Sequence, residues 1–197
     1  MFGFAEALVY IIQTLGSLYL LVVLLRFILQ MVRADFYNPL SQFIVRATQP
    51  LLMPLRRVIP GFGGVDLASL VLALLLQLLL MAVVMVLLAQ NPLAYLPQLL
   101  VWAILGISSL FIKVFFFALI VSVILSWVAP GTYNPAAQLV NQIVEPLLMP
   151  LRRLLPNLGG LDISPIFAFL AITLIERFVI GNIAQMTQMP RILAPFL

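Results

Sequence analysis

PLLMPLRR stands at residues 50–57 and again, letter for letter, at residues 146–153. Each copy sets two prolines and two arginines into eight positions of a chain that is 64% apolar and only 8% charged. The copies are 96 residues apart, and the same shift superposes residues 37–66 on 133–162 without a gap, sixteen of the thirty positions being identical. The matches are Tyr37-Asn38-Pro39 with Tyr133-Asn134-Pro135, Gln42 with Gln138, the octapeptide, Pro60 with Pro156, Gly63-Gly64 with Gly159-Gly160, and Asp66 with Asp162. Chance does not produce a match of that length, so the chain is a tandem duplication.

Outward from these segments the sequence is nearly uncharged. A soluble domain is roughly half apolar and roughly a quarter charged; with a mean hydropathy of +1.23, this chain is an integral membrane protein. Stretches 7–31, 67–89, 99–128 and 163–184 are each long enough to cross a hydrocarbon core, which takes about 20 helical residues. They lack the polar alternation of barrel strands, and lipid offers the backbone no hydrogen-bond partner, so they are helices. The N-terminus has no basic leader and is read as a mature span rather than a cleaved signal. The expected fold is an all-α membrane protein of four transmembrane helices in two repeats, 1–96 and 97–197. Each repeat contains an even number of crossings, so both copies have the same orientation.

Arg33, Arg46, Arg56 and Arg57 fall between the first two spans, and Arg152 and Arg153 between the last two, whereas the connection 90–98 carries no charge. The positive-inside bias puts both arginine-bearing connections in the cytoplasm and both termini outside, with Arg191 in the tail as a weak contrary signal.

Within each connection, Asn38-Pro39 and Asn134-Pro135 join a favoured N-cap to a residue preset for the first helical turn. Leu40, Phe43, Ile44, Ala47 and Leu51 then recur at helical spacing, as do Ala136, Leu139, Val140, Ile143 and Leu147. The pattern predicts a short amphipathic helix in the membrane interface. It should break or bend at Pro50 and Pro54, and at Pro146 and Pro150, which lack backbone donors. Gly63-Gly64 and Gly159-Gly160 supply a tight turn, and Asp66 and Asp162 stand where the returning span wants an N-cap, within reach of the arginines. The whole is an interfacial elbow. Its arginine pairs, Arg56-Arg57 and Arg152-Arg153, either set topology and anchor at headgroups, worth about 1 kcal/mol per charge, or bind an acidic partner segment or an anionic lipid on the cytoplasmic side.

Four ionisable residues lie inside apolar runs: Arg26, Lys113, Glu176 and Arg177. Arg26 is five residues from Met31, about 8 Å from the inner end, and is expected to snorkel to the interface. Lys113 is 15 residues from Val128 and Glu176 is 13 from Ile163, placing both about 20 Å from the inner boundary. An intramembrane Lys113/Glu176 pair follows as a hypothesis, either a clasp between helices or part of a transport path, with Arg177 turned to the outer interface. Gln77 and Thr173 are repeat equivalents at a similar depth and could join that layer.

The chain has neither cysteine nor histidine, which removes thiolate and imidazole chemistry; with no phosphate-binding loop either, no catalytic residues, metal ligands or cofactors are expected. The few basic residues, not interleaved with aromatics, give no nucleic-acid surface.

The doubled pattern of YNP, QPLLMPLRRVIP or EPLLMPLRRLLP, and GG followed by Asp, between paired spans, resembles the YggT family of bacterial integral membrane proteins. The resemblance implies a bacterial inner-membrane location with both termini periplasmic. It further implies a non-catalytic accessory or assembly role of the kind linked to osmotic-shock tolerance and envelope organisation, and in chloroplast relatives to cytochrome b6 cofactor assembly. Partners expected on this reading are anionic headgroups and a membrane protein or a second copy of the chain. A small oligomeric transporter or channel component using the Lys113/Glu176 layer is the alternative.

Overall fold

The computed structural model describes residues 3–128, 134–154 and 162–193. Four of its helical stretches are long and apolar enough to cross a membrane: Phe4–Met31, Leu67–Leu87, Pro92–Val128 and Ser164–Met186. The first is helix α1 and the second α3. The third opens with a 3-10 turn, Pro92–Tyr95, and continues as α4, Leu96–Val128. The fourth is composite. Helix α6, Ser164–Leu174, passes through a π-helical stretch, Ile175–Ile180, into α7, Gly181–Met186. No strand is present among the described residues beyond a single Phe62–Val65 bridge.

Two further helices, α2 (Pro39–Val58) and α5 (Pro135–Leu154), join the spans of each repeat. Both run through their prolines. The break expected at Pro50 and Pro54, and at Pro146 and Pro150, does not occur. An internal proline removes one backbone hydrogen bond and crowds the preceding turn, and in α2 two side chains of α1 bond carbonyls on either side of that of Arg46, the one Pro50 leaves without its helical donor. In α2, Arg26 donates from Nη1 to the Val45 carbonyl at 2.9 Å, and the Tyr19 hydroxyl donates to the Ala47 carbonyl at 3.3 Å. These bonds tie α1 to α2 just before Pro50.

The spans α1 and α3 pack closely, as do α3 and α4, and α4 packs on the fourth span. A Cβ added at Gly16 of α1 would stand 2.1 Å from Leu80 Cδ2 of α3, and one at Gly106 of α4 would stand 2.8 Å from Gln77 Nε2. Small residues thus set the separations of both helix pairs. One large apolar core, including Leu20, Leu24, Ile28, Leu72, Leu119 and Leu148, joins the spans to α2 and α5. A second, around Met81, Met85, Trp102 and Leu193, closes the opposite end, where the Trp102 indole donates to the Thr187 carbonyl at 3.2 Å.

Candidate functional site: a doubled arginine elbow

In the first elbow, Asn38 accepts from the Leu40 backbone at 3.0 Å, capping α2 with Pro39 at its first position. Asn134 does the same for α5, accepting from Ala136 at 2.9 Å. Asn38 also reaches across the repeat, its Nδ2 donating to the Pro135 carbonyl at 2.6 Å, and the Gln142 side chain accepts from the Asp35 backbone at 3.0 Å. The two elbows are therefore bonded to each other. After α2 the chain turns back through Gly63 and Gly64, with φ of 61° and 83°, closed by paired bonds between Phe62 and Val65. Two successive positive φ values are what a tight two-residue turn of this hand requires. Gly159 and Gly160 lie outside the described residues.

Asp66 caps α3, accepting from the Ser69 backbone at 3.3 Å and from its hydroxyl at 2.5 Å. Asp162 acts one residue outside its helix, accepting from the Ser164 backbone at 2.9 Å and hydroxyl at 2.6 Å. Each aspartate also holds an arginine ten residues back. Arg56 pairs with Asp66, and Arg152 Nε lies 2.8 Å from Asp162 Oδ2. Arg152 additionally binds both oxygens of Glu145, at 3.0 and 3.1 Å.

The two arginines of each pair consequently differ. Arg56 and Arg152 close the elbow, whereas Arg57 and Arg153 are exposed and make no ion pair among the described residues, Arg153 resting against the Met149 sulfur. For Asp66, burial pushes the carboxyl up, but hydrogen bonds from Arg56 and Ser69 outweigh it and hold the group below the usual carboxylate range. Asp162 shows the same balance, with Ser164 and Arg152 as the donors. Burial lowers Arg152, and its two carboxylate partners more than reverse this.

Arg26 does not snorkel. It is buried, and its Nη1 also donates to the Thr48 hydroxyl at 2.7 Å. The Val45 carbonyl and the Thr48 hydroxyl, both on the facing helix α2, give the guanidinium acceptors without its reaching for headgroups. Sequence reasoning missed this contact, although a signal existed: the 96-residue shift maps Arg26 onto Ser122 and Val45 onto Asn141. In the second copy the hydroxyl of Ser122 lies 3.0 Å from Asn141 Oδ1, so a polar link spans the same two helices in both repeats.

Higher in the bundle, Lys113 Nζ lies 3.3 Å from Glu176 Oε1, joining α4 to the π-helical stretch of the fourth span. Arg177 is exposed beside it. Gln77 and Thr173 do not form a common layer with the pair. Gln77 is buried against Gly106, and Thr173 is exposed and bonds back to the Phe169 carbonyl of its own helix at 2.8 Å. Among the described residues no group of three or more acidic residues is placed to hold a metal ion.

Four spans with a proline-crossed helix and an Arg–Asp clasp in each half define a polytopic α-helical membrane protein built by tandem duplication. The CCB3/YggT family model matches twice in tandem, over residues 5–87 and 101–183. The chain is 71% identical over 197 residues, the whole of both chains, to Uncharacterized protein PA0392 of Pseudomonas aeruginosa. It is 40% identical over 174 residues, 88% of this chain and 89% of the relative, to Uncharacterized protein YggT of Escherichia coli K12. A Vibrio alginolyticus protein is 39% identical over 174 residues, 88% of this chain and 93% of its own. No solved structure matches. This chain belongs to the CCB3/YggT family.

Proposed function

We propose that the chain is a non-catalytic accessory or assembly factor of the bacterial inner membrane. On this reading it lies with both elbows at the cytoplasmic face and both termini periplasmic, and the elbows hold anionic groups of partner proteins or lipids. The observation that carries the reading is the division of labour within each arginine pair, one side chain clasped to aspartate and the next exposed. A chain needing the arginines only to set topology has no use for a fixed scaffold beneath them. Osmotic-stress tolerance and envelope organisation are the processes such a role would serve.

The test is an Arg57→Gln/Arg153→Gln variant of the full chain, crosslinked in cells and scored in a deletion strain under osmotic upshift. Membrane insertion and thermal stability are expected to stay at wild-type levels while crosslinked adducts and complementation are lost. Unchanged adducts together with full complementation would remove the elbows from function.

A second reading, a small oligomeric transporter, is favoured by the incomplete sealing of the intramembrane pair, whose side chains are 28% and 27% exposed. Converting both Lys113 and Glu176 to leucine separates the two. A clasp tolerates the double change better than either single one, because no uncompensated charge is left in the bundle. A transport element loses activity with the double change.

A further inference from the structure

The two elbows are near copies in sequence and unequal in charge. Helix α2 carries Arg46, Arg56 and Arg57 and no acidic residue, whereas α5 carries Arg152 and Arg153 with Glu145 among them. Internal pairing widens the difference. With Arg56 clasped to Asp66, Arg46 and Arg57 make no ion pair among the described residues. In the second elbow Arg152 faces two carboxylates, Asp162 and Glu145, so that cluster holds one negative charge in excess beside Arg153, which makes no ion pair among the described residues.

The placement of these cations on α2 matters as much as their number. At 3.6 residues per turn, Arg46 and Arg57, eleven positions apart, come within about 20° of each other around the axis. They lie on the side away from the buried stripe of Ser41, Ile44, Thr48 and Leu52. Between that stripe and the arginine row runs an exposed apolar flank of Leu40, Phe43, Leu51 and Val58. In α5 the counterpart of Phe43 is Leu139, which is buried at 6% exposure against 66% for Phe43. Because α2 joins the ends of two spans, it lies at the membrane boundary, where an apolar flank beside a cationic row matches acyl chains beside phosphates. An acidic protein surface would match the row and leave the flank uncovered.

We propose that α2 is the anionic-phospholipid site of this protein, with Arg46 and Arg57 on the headgroup phosphates and Phe43 among the acyl chains, and that α5 does not share this property. The proposal rests on the elbow reading above and deepens it by naming the occupant and the copy. The test uses the purified full chain in mild detergent, equilibrated with equal amounts of phosphatidylglycerol and phosphatidylcholine of matched acyl chains, with retained lipids counted by native mass spectrometry. Wild type is expected to retain phosphatidylglycerol preferentially. R46Q/R57Q lowers that preference by about thirtyfold, the order expected for two headgroup-level cations, and R153Q changes it by less than about twofold. Circular dichroism and melting curves confirm that each variant is folded. Equal losses in R46Q/R57Q and R153Q would overturn the asymmetry while leaving the elbow reading intact. No preference in wild type would overturn the lipid site and leave a protein partner as the occupant of the elbows, and a preference untouched by any of the arginine changes would put the lipid elsewhere and overturn the site on α2 in the same way.

Discussion

Arg26 and Ser41 show how differently polar side chains behave inside one helix junction. Arg26 is paired to α2 by two hydrogen bonds, whereas Ser41 is fully buried and its hydroxyl has no hydrogen-bond partner among the described residues. An unsatisfied buried hydroxyl costs about 1–3 kcal/mol. Ser41→Ala is therefore expected to raise stability by about 1 kcal/mol, read as a higher melting temperature in detergent; a fall would mean that the hydroxyl has a partner. Asp66 gives the opposite case. Its folded-state pKa lies below the ordinary value of 3.8, so its stabilising contribution is present at neutral pH and is lost as the pH falls through that value. In denaturant titrations between pH 7 and about pH 3, wild type should lose stability on acidification more steeply than Asp66→Asn, which has no carboxyl to protonate. Parallel curves would mean that the Arg56 clasp does not contribute to folding.

At the scale of elements, the Gly63-Gly64 turn sets the direction in which α3 leaves the elbow. A Cβ at either glycine meets nothing within 4 Å, so the cost of substitution comes from the backbone alone. Gly63→Ala is expected to cost about 1 kcal/mol, measurable by chemical denaturation, with little change in the helical signal. Hydropathy placed the spans well: 7–31 against Phe4–Met31, 67–89 against Leu67–Leu87, and 99–128 against Leu96–Val128. Apolar length alone decides where a helix crosses a membrane. What stayed hidden depends on neighbours rather than on local pattern. The contacts of Tyr19 and Arg26 with the α2 carbonyls come from another helix, and the pattern within α2 does not announce them. The split within each arginine pair follows from which guanidinium meets an aspartate ten residues on, and no periodicity encodes that. The π-helical stretch at Ile175–Ile180 left no signature in hydropathy. The aspartates, by contrast, were legible, because caps are local.

Across the whole molecule the two repeats meet midway along the bundle, through Gly106 and Gln77 in the spans, and at one end of it, through Asn38 and Pro135 at the elbows. Fragments 1–90 and 91–197, expressed together, are therefore expected to copurify as one complex, because the break falls in the uncharged connection and leaves both contacts intact. Halves that purify separately would show that chain continuity, and not packing, holds them. The bonded elbows also give the molecule a taper. Two helices of 20 residues lie at one end of the spans, where the other end has, among the described residues, the short turns Pro92–Tyr95 and Arg191–Leu193. A 20-residue helix is about 30 Å long and about 10 Å wide, so under the cytoplasmic placement proposed above each one would displace about 300 Å² of lipid from that leaflet. Both would displace that area from one leaflet alone. Such an inclusion is a wedge, and its energy in a bilayer depends on curvature and on the difference in lateral tension between the two leaflets.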